Sequence, residues 1–321
     1  TWNGTSQSGN LTINNNAFRV NGLFRLLSTN GGNTFTMGGT TPGTYANTLN
    51  SVSIEGGVFA IAYTSGVTST TTVTNDMSIS GTGEVRINGS AGIGTLNIGR
   101  DLLMSGSGYL ILLYASTSPT TTVTVARDFI LSGNSIVDLE YTNSSSGSGI
   151  ISVGRNLTST SSGDSANGVV LDFGGSTITG AVSGNAINIA GNFSFTGTGL
   201  IQTFSENSPT GFVFNGSGIQ TLTYTTNSGL LNWAPITINN GSELQLLNNI
   251  TIGSSATNPA VVVNVNGILD FQNYTISAGT STVPRINTNA GATLITSNSG
   301  GIGGTGTTGS LQNFNSVSPT S

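Results

Sequence analysis

Four stretches of the chain superimpose without a gap around one polar position: TTVTNDMSISGTG (71–83), LNIGRDLLMSGSG (96–108), VTVARDFILSGNS (123–135) and INIAGNFSFTGTG (187–199). A fifth, ISVGRNLTSTSSG (151–163), fits more loosely. The polar anchors are Asp76, Asp101, Asp128, Asn156 and Asn192, spaced 25, 27, 28 and 36 residues apart. An apolar residue follows each one (Met77, Leu102, Phe129, Leu157, Phe193), and another stands three positions ahead (Val73, Ile98, Val125, Val153, Ile189). Five positions after the anchor comes Gly81, Gly106, Gly133 or Gly197, with Ser161 in the loose copy. A period of this length marks a solenoid, whose units bury their apolar faces only by stacking on neighbours.

The residues between the anchors select the kind of solenoid. Period-two alternation runs through TVTND, EVRING, TVTVARD, AINIAGNFSF, PITINN and VVVNVNG, carried by Val, Ile, Thr, Phe and Tyr and punctuated by Gly, Asn and Ser. No window of ten residues keeps a 3.6-residue period, so the chain reads as all-β. An antiparallel sandwich has no internal period near 26 residues, whereas a parallel β-helix stacks equivalent residues at roughly 4.8 Å per coil. The expected fold is therefore a right-handed parallel β-helix, the hand following from the usual chirality of parallel crossovers. Dividing 321 residues by that period gives about a dozen irregular coils and a rod near ~60 Å long. The regular coils occupy 1–205, less regular ones continue over 206–310, and 311–321 reads as linker or broken coil.

Composition removes several functions. The chain has no His and no Cys, and its seven cations are all arginine (Arg19, Arg25, Arg86, Arg100, Arg127, Arg155, Arg285). The usual ligands of zinc, iron–sulfur and copper centres are therefore missing, as are the commonest catalytic bases and covalent nucleophiles. A net charge of −5 with scattered cations argues against nucleic acid as a partner. GGIGGTG (300–306) is not followed by the Lys-Ser/Thr of a phosphate-binding loop. With 35% apolar residues the chain can bury a core, and it has no apolar run long enough for a membrane-spanning helix. No signal peptide opens the sequence at Thr1, which reads as the start of a mature or excised segment.

The stretches FVFNGSGIQTLTYTTNSGLLNWAPITINNGSELQLLNNITIG and GATLITSNSGGIGGTGTTGSLQNFNS, roughly 212–315, carry a family resemblance. They resemble the repetitive β-solenoid regions of large surface proteins exported by the type IX secretion pathway of Bacteroidota. In those proteins a strand like F-N-G-S-G-x-Q-T precedes an I-x-I-N-N-G-S-x-L-x-L coil, and G-A-T-L precedes a glycine-rich segment. The resemblance implies a secreted or cell-surface product, an adhesin or filament component. The C-terminal sorting domain usual in that family has no counterpart in these 321 residues. Asp164-Ser165-Ala166 matches the O-glycosylation signal of that phylum, with Ser165 as acceptor.

Three sets of residues are candidates for chemistry. Asp76, Asp101 and Asp128 stack in one column and so offer a Ca²⁺ site, or they cap turns with Arg100 and Arg127 relieving the repulsion. The structural reading is favoured because Asn156 and Asn192 take the same place. Asp138 and Glu140 lie two apart on one strand face, a separation of about 7 Å that does not forbid a carboxylate pair for glycosidic hydrolysis. An outward strand face carries such a pair equally well without chemistry, and nothing near it in sequence is expected to raise a pKa. Tyr109, Tyr114 and Tyr141 fall in neighbouring coils as a file of aromatics on which sugar rings stack. Trp2 and Trp233 are expected in the core or at an end cap.

The expectation is a non-enzymatic, extracellular rod with no cofactor, its partners glycans or neighbouring copies of a surface assembly. A polysaccharide-binding or polysaccharide-cleaving β-helix is the alternative.

Overall fold

The computed structural model describes residues 10–14, 17–27, 34–114, 119–141, 147–163, 168–174, 184–202, 210–225, 230–232, 234–253, 262–278, 285–303, 306–314 and 316–319. Trp2, Trp233, Ser165 and its neighbours Asp164 and Ala166 lie outside the described residues. The described secondary structure is all β, with no helix, and every strand pairing is parallel.

The chain winds as a three-faced β-solenoid. A turn starts on the first face with strands such as Val67–Val73, Ile93–Ile98 and Thr121–Val125. It bends at the anchor onto the second face (Met77–Ile79, Leu102–Met104, Phe129–Leu131) and then onto the third (Glu84–Asn88, Tyr109–Leu113, Ile136–Glu140). Each strand pairs only with its equivalents in the turns before and after. Such three-strand turns number about nine. The lower number than 321 residues divided by the period suggests has two causes. Single turns are lengthened by inserts, and the first strands are not divided: Gly43–Gly56 pairs with both Val67–Val73 and Met77–Ile79.

The repeat columns become physical columns. Leu49, Val73, Ile98, Val125, Val153, Ile189, Phe214, Ile238 and Val265 are in register down the first face, and all are buried. Val52, Met77, Leu102, Phe129, Leu157, Phe193 and Leu222 do the same on the second. Each such side chain stabilises by about 1.5–3 kcal/mol on burial, but only because the turns above and below it complete its environment.

The glycine five positions after Asp76, Asp101 and Asp128 turns the chain from the second face to the third. Gly106 and Gly133 have φ of 62° and 65°, and a Cβ on Gly133 would stand 2.8 Å from the Gly106 nitrogen. Backbone hand and close stacking both require glycine there. Near residue 205, the first two faces continue unbroken from Ala186–Ile189 to Gly211–Phe214 and from Phe193–Phe195 to Leu222–Tyr224. The third face is interrupted: the sheet ending at Leu200–Gln202 is followed by a separate four-stranded sheet beginning at Leu230–Asn232. At the C-terminal end, Leu311–Gln312 pairs with Ile276–Ser277, and Ser316–Pro319 pairs with Arg285–Thr288.

Candidate functional site

The polar anchors lie at the corner between the first and second faces, where each contacts the next turn. Asp76 Oδ1 accepts from the backbone N–H of Asp101 at 3.2 Å, and Asp101 Oδ1 from that of Asp128 at 3.1 Å. Asp128 Oδ1 accepts from the N–H of Asn156 at 3.1 Å, and Asn156 Oδ1 from that of Asn192 at 2.9 Å. Asn192 closes the series on the N–H of Thr221 at 2.8 Å. The backbone bends away from the regular ladder at this corner, so each side-chain oxygen stands in for the missing carbonyl. The arginine preceding the next anchor lies beside each carboxylate: Arg100–Asp76 at 3.6 Å, Arg127–Asp101 and Arg155–Asp128 at 3.5 Å. The three aspartates that the sequence offers as a Ca²⁺ column thus each hold a backbone N–H and face an arginine. Among the described residues, no group of three Asp, Glu, His or Cys side chains is placed to hold a metal ion.

The tyrosines lie on the outward side of the third face, around turns 58–62, 84–88, 109–113 and 136–140. Tyr63, Gly89, Tyr114 and Tyr141 follow directly after strand residues that are in register, Ala62, Asn88, Leu113 and Glu140. Tyr114 and Tyr141 stack with centroids 5.2 Å apart and planes 7° from parallel. The Arg86 guanidinium lies 3.9 Å from the Tyr114 centroid, a cation–π contact, and ion-pairs with Glu84. Burial opposes the Arg86 charge, but Glu84 and the neighbouring tyrosines Tyr114 and Tyr63 more than offset it, so its pKa is raised. Tyr63 lies over Gly89, where a Cβ would come within 2.1 Å of its ring. The result is a column of Tyr63, Arg86, Tyr114 and Tyr141 along the rod axis, with Tyr141 42% exposed.

Tyr109 belongs to a different column. It is in register with Glu84 and Ile136, at the other end of the strand, and meets Tyr141 edge-on with centroids 6.3 Å apart. Its hydroxyl donates to Asp138 Oδ2 at 2.9 Å. Burial raises the Tyr109 pKa, and the Asp138 carboxylate raises it further. Tyr109, Tyr114 and Tyr141 are therefore brought together, but Tyr141 alone of the three is exposed.

The carboxylate pair differs from its expected setting. Val137 and Leu139 point into the core, yet Asp138 on the opposite side is only 6% exposed, and Glu140 is fully buried. Asp138 Oδ1 accepts from the backbone N–H of Glu140 at 2.9 Å. Glu140 Oε2 accepts from Asn185 Nδ2 at 3.1 Å. Burial pushes the Asp138 pKa up to about 7, against the opposing hydrogen bond from Tyr109, and the nearby Glu140 charge adds to the rise. The expectation that no pKa is raised here is corrected: alternation places Asp138 away from the core, but not in water.

Arg86, Tyr63 and Gly89 are members of this cluster outside the file of Tyr109, Tyr114 and Tyr141 that the sequence suggests. The signal is present in the aligned segments AYTSG (62–66), NGSAG (88–92), LYAST (113–117) and EYTNS (140–144), in which glycine takes the aromatic position once.

Compared with protein-family models, curated proteins and solved structures, the chain gives no match in any of the three. Among the described residues, no helix is long and apolar enough to cross a membrane, which says nothing of β-barrels.

Proposed function

We propose that this chain is a non-enzymatic, adhesive rod segment of an extracellular surface or filament protein, of the kind exported by type IX secretion in Bacteroidota. In this reading the solenoid is right-handed, and its turns, stacked at about 4.8 Å, transmit load along a stiff axis. One observation carries it: the first-face column stays in register from Leu49 to Val265, past the point where the third face is interrupted. The outer strand positions are dominated by Ser, Thr and Asn, and three Arg–Asp pairs lie along the corner. Adhesion to glycans through such a surface depends little on ionic strength.

The test is a glycan and polysaccharide panel with the purified chain and a Tyr109/Tyr114/Tyr141 alanine variant. Saturable binding that the variant lacks assigns adhesion to the tyrosine cluster, and no binding across the panel refutes the adhesive part. Asp138, with its raised pKa beside Glu140, favours one second reading, a polysaccharide-cleaving β-helix. That reading requires new reducing ends or unsaturated products from a polysaccharide, lost in Asp138→Asn and Glu140→Gln. Turnover that persists in both variants refutes it at this pair.

A further inference from the structure

Past Asn192, the anchor corner changes character and opens as a groove of about 410 Å³. Its wall is a column in register across four turns, Ile219, Glu243, Ile268 and Thr293, so it runs about 14 Å parallel to the rod axis. Its floor includes Gly218, Gly241 and Gly291, and a Cβ at any of the three would meet nothing within 4 Å among the described residues. Gly241 and Gly291 have φ of 83° and 86°, so their backbone explains the glycine. Gly218 has no such φ and, among the described residues, no close neighbour, so neither strain nor packing there accounts for it. What its missing side chain does is keep the groove floor bare. Beside it stands Ile219, 60% exposed, an apolar side chain presented to solvent at the groove edge.

We propose that this groove binds a linear, uncharged polysaccharide lying parallel to the rod axis. The inference rests on the adhesive reading above and gives it a second site and a ligand class. A pyranose ring needs an apolar surface for its C–H face and amide or hydroxyl groups for its edge. Ile219 and Ile268 supply the first, and Ser217 and Asn240 the second. One sugar unit spans about the rise between turns, so successive rings meet successive wall residues. Glu243 is the groove's one charged lining residue, and its negative charge disfavours polyuronates and sulfated chains. A peptide strand is a poorer occupant, because the groove crosses the strands and offers no ladder edge to extend.

The experiment titrates the whole chain with neutral β-linked gluco- and manno-oligosaccharides and, separately, with oligouronates, by calorimetry. Gly218→Phe fills the floor in open space, and Ile219→Ser removes the wall. Both are expected to keep the wild-type melting temperature and to weaken neutral-glycan binding about tenfold or more, whereas Tyr141→Ala leaves it unchanged. Neutral-glycan binding unaffected by either groove variant overturns the proposal, as does binding confined to oligouronates. If binding is instead lost in Tyr141→Ala and kept in Gly218→Phe, the groove is refuted while the adhesive reading stands. No saturable binding to any glycan refutes both.

Discussion

Replacing Asp128 separates the two jobs assigned to the anchor column. Asp128 Oδ1 receives two hydrogen bonds from the next turn, from the Asn156 backbone N–H at 3.1 Å and from Asn156 Nδ2 at 3.0 Å, while Oδ2 faces Arg155 at 3.5 Å. In Asp128→Ala the backbone N–H at a turn-to-turn contact loses its acceptor, a cost of about 1–3 kcal/mol. The partly exposed ion pair adds only about 0.2–1 kcal/mol. Asp128→Asn keeps the Oδ1 acceptor and loses the ion pair alone, so it should cost under about 1 kcal/mol. The natural series already makes this exchange, since Asn156 and Asn192 accept the same bond at 2.9 and 2.8 Å. Urea denaturation followed by circular dichroism reads the difference. Transition midpoints are the quantity to compare, because long repeat arrays do not unfold as a strict two-state unit. The expected order is wild type close to Asp128→Asn, with Asp128→Ala clearly lower. Equal loss in both variants, or a wild-type midpoint raised by millimolar Ca²⁺ and abolished by either change, would show that the negative charge is the functional element and refute the argument.

Three other outcomes follow from the same geometry. Asp138 binds its proton more tightly folded than unfolded, so its contribution to stability is fully present below pH about 4 and is lost as the pH rises to about 7. Asp138→Asn should flatten that part of a stability–pH profile, and an unchanged slope would refute the assignment. Gly106→Ala forces a side chain into φ 62° with its Cβ 2.9 Å from the Gly81 nitrogen; a cost above about 1 kcal/mol is expected in the urea midpoint, and a neutral result would mean the turn relaxes freely. Leu102→Ala should cost about 2–5 kcal/mol by the same assay, because Met77 and Phe129 fix its column from both sides and the cavity cannot close.

The repeat was legible because its constraints act at fixed offsets from one residue. Val73, Asp76, Met77 and Gly81 lie within nine residues and recur together, so an ungapped alignment finds first-face core, hydrogen-bonded bend, second-face core and left-handed turn at once. The third face follows its anchor at an equally fixed offset in the three Asp turns, with Val85, Leu110 and Val137 each standing nine residues on, and the chain varies in length mainly between that face and the next turn. Sequence places Tyr109, Tyr114 and Tyr141 in neighbouring coils as one file, yet Tyr109 and Tyr114 stand at opposite ends of one strand and serve different columns. Period two says which side of the sheet Asp138 faces; what covers that side depends on ring packing between turns, which local alternation does not encode.

The same corner explains why a chain with so few charges still spends three Arg–Asp pairs in one place. Through Arg155 the corner is a row of carboxylates, each one rung from the next, and like charges so close repel unless a cation stands between them. Where Asn replaces Asp the repulsion ends, and the arginine is no longer required: Gly191 precedes Asn192 in the position that Arg155 holds before Asn156. Beyond that point the corner carries neither arginine nor aspartate, and its floor is glycine. The Arg–Asp row on this edge is therefore a consequence of how the bend is hydrogen-bonded, and it ends where Asn takes over that bond.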